Sequence, residues 1–77
     1  MQGGLSMTIL REKRTALGLS ITKFAQKLGI NPSQLTAYEL RNTKVAPHWR
    51  KVLADSLNVD ESELFDREGF ATNKGTV

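Results

Sequence analysis

A chain of 77 residues with a formal net charge of +3 and no cysteine is bounded to one small domain that no disulfide can staple. No apolar run approaches the ~20 residues that a membrane-crossing helix needs, so a helical membrane span is excluded. The absence of cysteine suits a reducing cytoplasm, which is the expected location.

The charge is unevenly distributed. Residues 1–51 hold nine Lys or Arg against Glu12 and Glu39, a net +7, whereas residues 52–77 hold Arg67 and Lys74 against six acids, a net −4. Such a split suits a basic surface that meets a polyanion and an acidic end that does not. Ordinary surface charge with accidental asymmetry is the alternative.

Residues 1–6, MQGGLS, lack the basic start and apolar centre of a signal peptide and read as a disordered leader or vector-derived remnant. Thr8 or Ser6 can cap a first helix running to about Leu17 and closed by Gly18, with Ile9, Leu10 and Leu17 on its apolar side. Ser20 is placed to cap a second helix that ends near Leu28. Gly29 can take the left-handed conformation that stops a helix, Asn31 is a good N-cap, and Pro32 suits the first position of a third helix ending near Leu40. Phe24, Ala25 and Leu28 share one helical face and Leu35 and Tyr38 another, with Ala25 small enough for two backbones to meet closely.

The segment RNTKVAP then reads as a turn with Asn42 in the left-handed position. Pro47 opens a fourth helix whose Trp49, Val52, Leu53 and Leu57 recur at three- and four-residue steps and face inward. Asp60 and Glu61 open a short fifth helix ending near Phe65. Residues 67–77, rich in Gly, Thr and Asn, read as a flexible tail or truncated linker, leaving 7–66 as the domain. The fold class is all-α, a compact arrangement of five helices.

Catalysis finds no constellation: His48 is the single histidine, no Cys/His set can ligate a metal, no Gly-rich phosphate loop is present, and the acids of 60–68 read as a solvated helix end. No enzyme, cofactor, metal or small-molecule ligand is therefore expected. The segment 20–40 is more informative. Helix, sharp turn, helix describes a helix-turn-helix, whose second helix can lie in a DNA major groove, or an αα-hairpin used only for packing. The face of helix three opposite Leu35 and Tyr38 offers Ser33, Gln34, Thr36 and Ala37. Gln can pair with adenine, Ser and Thr with several base edges, and Ala or a Thr methyl with the thymine methyl. Lys23, Lys27, Arg41, Asn42 and Lys44 flank that face as candidates for phosphate contact. Trp49 is read as core rather than as a stacking platform. Phe65 and Phe70 either serve a dimer interface or cover the end of the core.

From about Leu10 to Phe65 the chain resembles the lambda-repressor/Cro-like helix-turn-helix family, also called the xenobiotic-response-element type. The matching residues are Arg14, GLS at 18–20, FAQKLGI at 24–30, Tyr38-Glu39, LADSLNV at 53–59 and ELF at 63–65. The resemblance implies a five-helix DNA-binding domain, a transcriptional regulator acting as a homodimer on double-stranded DNA, and an ion pair between Arg14 and Glu39. Ser33, Gln34, Thr36 and Ala37 are then the candidate base contacts. Ser20, Lys23, Asn31, Asn42 and Lys44 are the candidate contacts to the DNA backbone.

The chain departs from the family pattern in four places. Ile21 stands where a backbone-contacting Gln is common, Pro32 where a polar base reader is common, Ala37 offers only a methyl, and Arg41 replaces the Gly that commonly follows the Glu. These departures keep a second expectation open: an antitoxin-like or adaptor module that uses the same fold to bind protein, with weak or no base readout.

Overall fold

A computed structural model describes residues 8–73. The expected leader at 1–6 lies outside the described residues. Five helices follow in order: α1 Ile9–Ala16, α2 Ile21–Leu28, α3 Pro32–Glu39, α4 Pro47–Leu57 and α5 Glu61–Leu64. No strand forms among the described residues, although two isolated antiparallel bridges do, Thr8 with Asn73 and Phe65 with Ala71.

Local chemistry sets most boundaries. The Thr8 hydroxyl accepts from the Arg11 N–H at 3.2 Å and so caps α1. Ser20 caps α2, its Oγ accepting from the Lys23 N–H at 3.1 Å. Gly29, at φ 76°, ends α2 in the left-handed region, and Asn31 Oδ1 accepts from the Ser33 N–H at 2.8 Å to start α3 at Pro32. Only Ile30 and Asn31 separate that glycine from the next helix, which makes the turn as sharp as the spacing predicts.

The end of α3 differs from expectation. Arg41, at φ 62°, takes the left-handed position assigned to Asn42. The Arg41 N–H donates to the Tyr38 carbonyl at 3.2 Å and the Asn42 N–H to the Ala37 carbonyl at 2.9 Å, the paired bonds of a Schellman cap. A side chain in this conformation costs roughly 1–2 kcal/mol relative to the right-handed one. Partners distant in sequence offset that cost. The Arg41 guanidinium donates to Asp66 Oδ2 at 3.2 Å and lies 5.5 Å from the Phe70 ring centroid.

Leu10, Phe24, Ala25, Ile30, Leu35, Tyr38, Val45, Leu53, Ala54, Leu64, Phe65 and Ala71 form one buried cluster. Ala25 is fully buried on α2. On α4, Leu53 and Ala54 are buried, whereas Trp49, Val52 and Leu57 are only partly so, and the Trp49 ring meets His48 edge-on at 5.0 Å. Leu17 is 55% exposed rather than on the apolar side of α1, because the helix stops at Ala16 and Leu17 forms its cap.

Residues 67–73, expected to begin a flexible tail, are held against the domain. The Val45 N–H donates to the Gly69 carbonyl, the Thr72 N–H to the Leu64 carbonyl, and the Ile9 N–H to the Thr72 carbonyl, all within 2.8–2.9 Å. Asp66 organises the return: its Oδ1 accepts from the N–H groups of Glu68 at 2.9 Å and Phe70 at 3.1 Å. Desolvation pushes the Asp66 carboxyl up, but those two N–H groups and the Arg41 guanidinium outweigh it and hold the group below its ordinary value.

Gly69 allows the return at φ 96°, and a Cβ built there would lie 2.6 Å from Arg50 Nη1. Gly69→Ala is expected to cost about 1–3 kcal/mol, mostly from the left-handed backbone because the end of Arg50 can move. Urea unfolding checks this, and an unchanged midpoint would show that the loop is not part of the cooperative unit.

Candidate nucleic-acid interface

The helix-turn-helix is braced from behind. Arg14 of α1 reaches Glu39 at the end of α3 through two parallel bonds, Nε to Oε2 at 2.7 Å and Nη2 to Oε1 at 3.1 Å. Its third nitrogen donates to the Leu19 carbonyl at 2.7 Å, just ahead of α2. The side chains are 10% and 4% exposed, so the pair is shielded from water. Thr8 adds a second tie, its hydroxyl donating to the Glu39 carbonyl at 2.9 Å. Through Arg14 and Thr8, α1 therefore fixes both the entry to α2 and the exit from α3. The paired Glu39 also presents no free negative charge beside the outer face of α3.

That face is open. Ser33 and Gln34 are exposed, and Thr36 and Ala37 are partly exposed, while Leu35, Tyr38 and Glu39 turn inward. The Thr36 hydroxyl donates to the Pro32 carbonyl at 2.9 Å. With its proton so used, it offers a lone pair and a methyl group, which suits an amino-group donor or a thymine methyl. Gln34 Nε2 donates to the Tyr38 hydroxyl at 2.7 Å. Ala37 contributes only its methyl.

The flanking candidates divide by the work they already do. Ser20 and Asn31 use their side-chain oxygens as helix caps, which leaves the Ser20 hydroxyl proton and the Asn31 amide N–H groups as donors toward an anion. Lys23 on α2 and Asn42 and Lys44 after α3 are exposed. Arg41, read from the sequence as a flanking cation, is instead turned to Asp66 and Phe70. Three of the departures from the family pattern lie at this face or its edge: Ile21 is partly buried against the core, Pro32 forms the first turn of α3, and Ala37 is partly exposed on α3.

The acidic residues Asp55, Asp60 and Glu63 line a cleft between α4 and α5, formed by no residue of α2 or α3. Among the described residues, no group of three or more His, Cys, Asp or Glu is placed to hold a metal ion. No helix among them is long and apolar enough to cross a membrane.

Among the contacts that the sequence reading missed are the Thr8 bond to the Glu39 backbone and the Gln34–Tyr38 bond. The second carried a signal, since residues four apart on a helix are neighbours. The first had none, because it joins positions 31 apart through a main-chain atom.

A capped α2, a sharp turn and an α3 with an open polar face define a helix-turn-helix domain. Comparison with known protein families matches residues 10–64 to the family described as Helix-turn-helix, and the chain belongs to that family, of lambda-repressor/Cro type. Its members are DNA-binding domains of regulators. No curated protein and no solved structure matches the chain.

Proposed function

We propose that this protein is a transcriptional regulator that binds double-stranded DNA with sequence preference, laying α3 in the major groove. The observation that carries this reading is the outer face of α3, where Ser33, Gln34, Thr36 and Ala37 form a short polar and methyl-bearing surface unobstructed by the rest of the domain. Side chains of this length leave room for the helix to approach base edges. Ser20, Lys23, Asn31, Asn42 and Lys44 set its register by contacting phosphates, which position the protein without reading sequence. The protein acts in the cytoplasm as a homodimer on DNA and does no catalysis.

Selection of bound duplexes from a random pool tests the reading. A dimer is expected to enrich pseudo-palindromes with half-sites about 10 bp apart, or a multiple of that spacing. Thr36→Ala is expected to relax the preference at one base position by roughly 1–3 kcal/mol while leaving the other positions unchanged. A pool that emerges without enriched sequence favours the protein-binding alternative, to which Pro32, Ile21 and Ala37 lend themselves.

A further inference from the structure

We infer that Tyr38 is a positioning residue for base readout, and that through it Gln34 selects an adenine in each half-site. The inference rests on the DNA-binding reading above and deepens it. Tyr38 is 3% exposed and forms part of the core, so its ring is fixed by packing. Its hydroxyl nevertheless receives the Gln34 Nε2–H at 2.7 Å, one helical turn away. Gln34 is exposed and has three freely rotating side-chain bonds, which an unanchored glutamine would have to order on binding. The buried ring instead supplies a fixed acceptor at the edge of the open face.

The chemistry left over is specific. A glutamine amide has two N–H donors and one carbonyl acceptor. When the N–H anti to the carbonyl is the one given to Tyr38, the syn N–H and the carbonyl oxygen remain, side by side. The major-groove edge of adenine presents the matching pair, N7 as acceptor and the N6 amino group as donor. Guanine presents two acceptors there, so the carbonyl of Gln34 would face the guanine O6. Tyr38 thus holds the amide where it can pair with one purine and oppose the other. The other α3 candidates lack this arrangement: Ser33 has a single hydroxyl in place of a paired donor and acceptor, the Thr36 hydroxyl bonds its own helix backbone, and Ala37 has no polar group.

Two measurements test this. In the free protein, ¹⁵N relaxation of side-chain amides is expected to find the Gln34 amide ordered and that of Gln26, exposed on α2, mobile. A Gln34 amide as mobile as that of Gln26 overturns the inference without touching the DNA-binding reading, and it needs no variant. Duplex selection is then run on the wild type, Tyr38→Phe, Gln34→Ala and the double variant. The wild type is expected to prefer adenine at one position per half-site by roughly 5- to 150-fold.

Tyr38→Phe, which keeps the buried ring, is expected to lose most of that preference and leave the other positions and the salt dependence unchanged. The double variant is expected to match Gln34→Ala alone, because the hydroxyl acts only through the glutamine. An unchanged adenine preference in Tyr38→Phe, a uniform loss across all sequences, or additive effects in the double variant each overturn the inference. A wild type that binds no duplex removes both this inference and the function on which it rests.

Discussion

Glu39→Ala is expected to destabilise the domain by about 3–5 kcal/mol, since it strands a buried guanidinium that loses both of its carboxylate bonds. A domain of this size has only a few kcal/mol to lose. The variant should therefore melt more than about 12 °C lower or show no cooperative transition, as followed by circular dichroism. Arg14→Met strands the carboxylate instead and also releases the Leu19 carbonyl, so its cost should be similar.

The paired replacement Arg14→Met with Glu39→Leu separates the penalty of an orphaned charge from the worth of the pair. Burying apolar side chains in place of an ion pair is often neutral or stabilising by about 1–4 kcal/mol, so the double variant should recover most of the loss. Single variants that cost under about 1 kcal/mol would mean that water reaches the pair and screens it as it screens a surface bridge. Because the pair joins α1 to the end of α3, a folded double variant also tests whether charge or packing keeps α3 in place.

The parts of this domain that could be read in advance are those whose causes are local. Ser20, Gly29, Asn31 and Pro32 each act within four residues of themselves, so the turn between α2 and α3 follows from them alone. The inward set Phe24, Ala25, Leu35 and Tyr38 follows from helical periodicity. Arg41 could not be read in this way. An asparagine next to it is the better residue for a left-handed backbone, and the register is decided by Asp66 and Phe70, which hold the arginine from the far end of the chain. The return at 66–73 was equally hidden. It is held by main-chain hydrogen bonds and one carboxylate, and single bridges impose no alternation of apolar and polar residues. On α3, periodicity identifies which side chains face outward. It does not tell which of their polar atoms are already engaged, so the hydroxyl of Thr36 and the amide of Gln34 could be interpreted only from coordinates.

Duplex binding is expected to weaken roughly 100-fold between about 50 and about 200 mM monovalent salt. The figure follows from counting cations. Lys23 and Lys44 are the exposed lysines among the proposed phosphate contacts, so a homodimer places four such charges on the DNA backbone. Each phosphate neutralised contributes about −0.9 to the slope of log K against log salt, giving a slope near −3.6.

Ser20, Asn31 and Asn42 add neutral hydrogen bonds, which strengthen binding without releasing counterions. Substitution therefore sorts the five residues into two groups. Lys23→Gln should reduce the slope by about 1.8 for the dimer, one phosphate in each half-site. Ser20→Ala should weaken binding at every salt concentration and leave the slope as it was, provided that a melting curve shows α2 still capped. Arg41→Gln should leave the slope alone, because its guanidinium is spent on Asp66 and Phe70 rather than on DNA. A slope that falls with Arg41→Gln and stays constant with Lys23→Gln would place the DNA against the C-terminal return rather than α2, and the proposed docking of α3 would have to be abandoned.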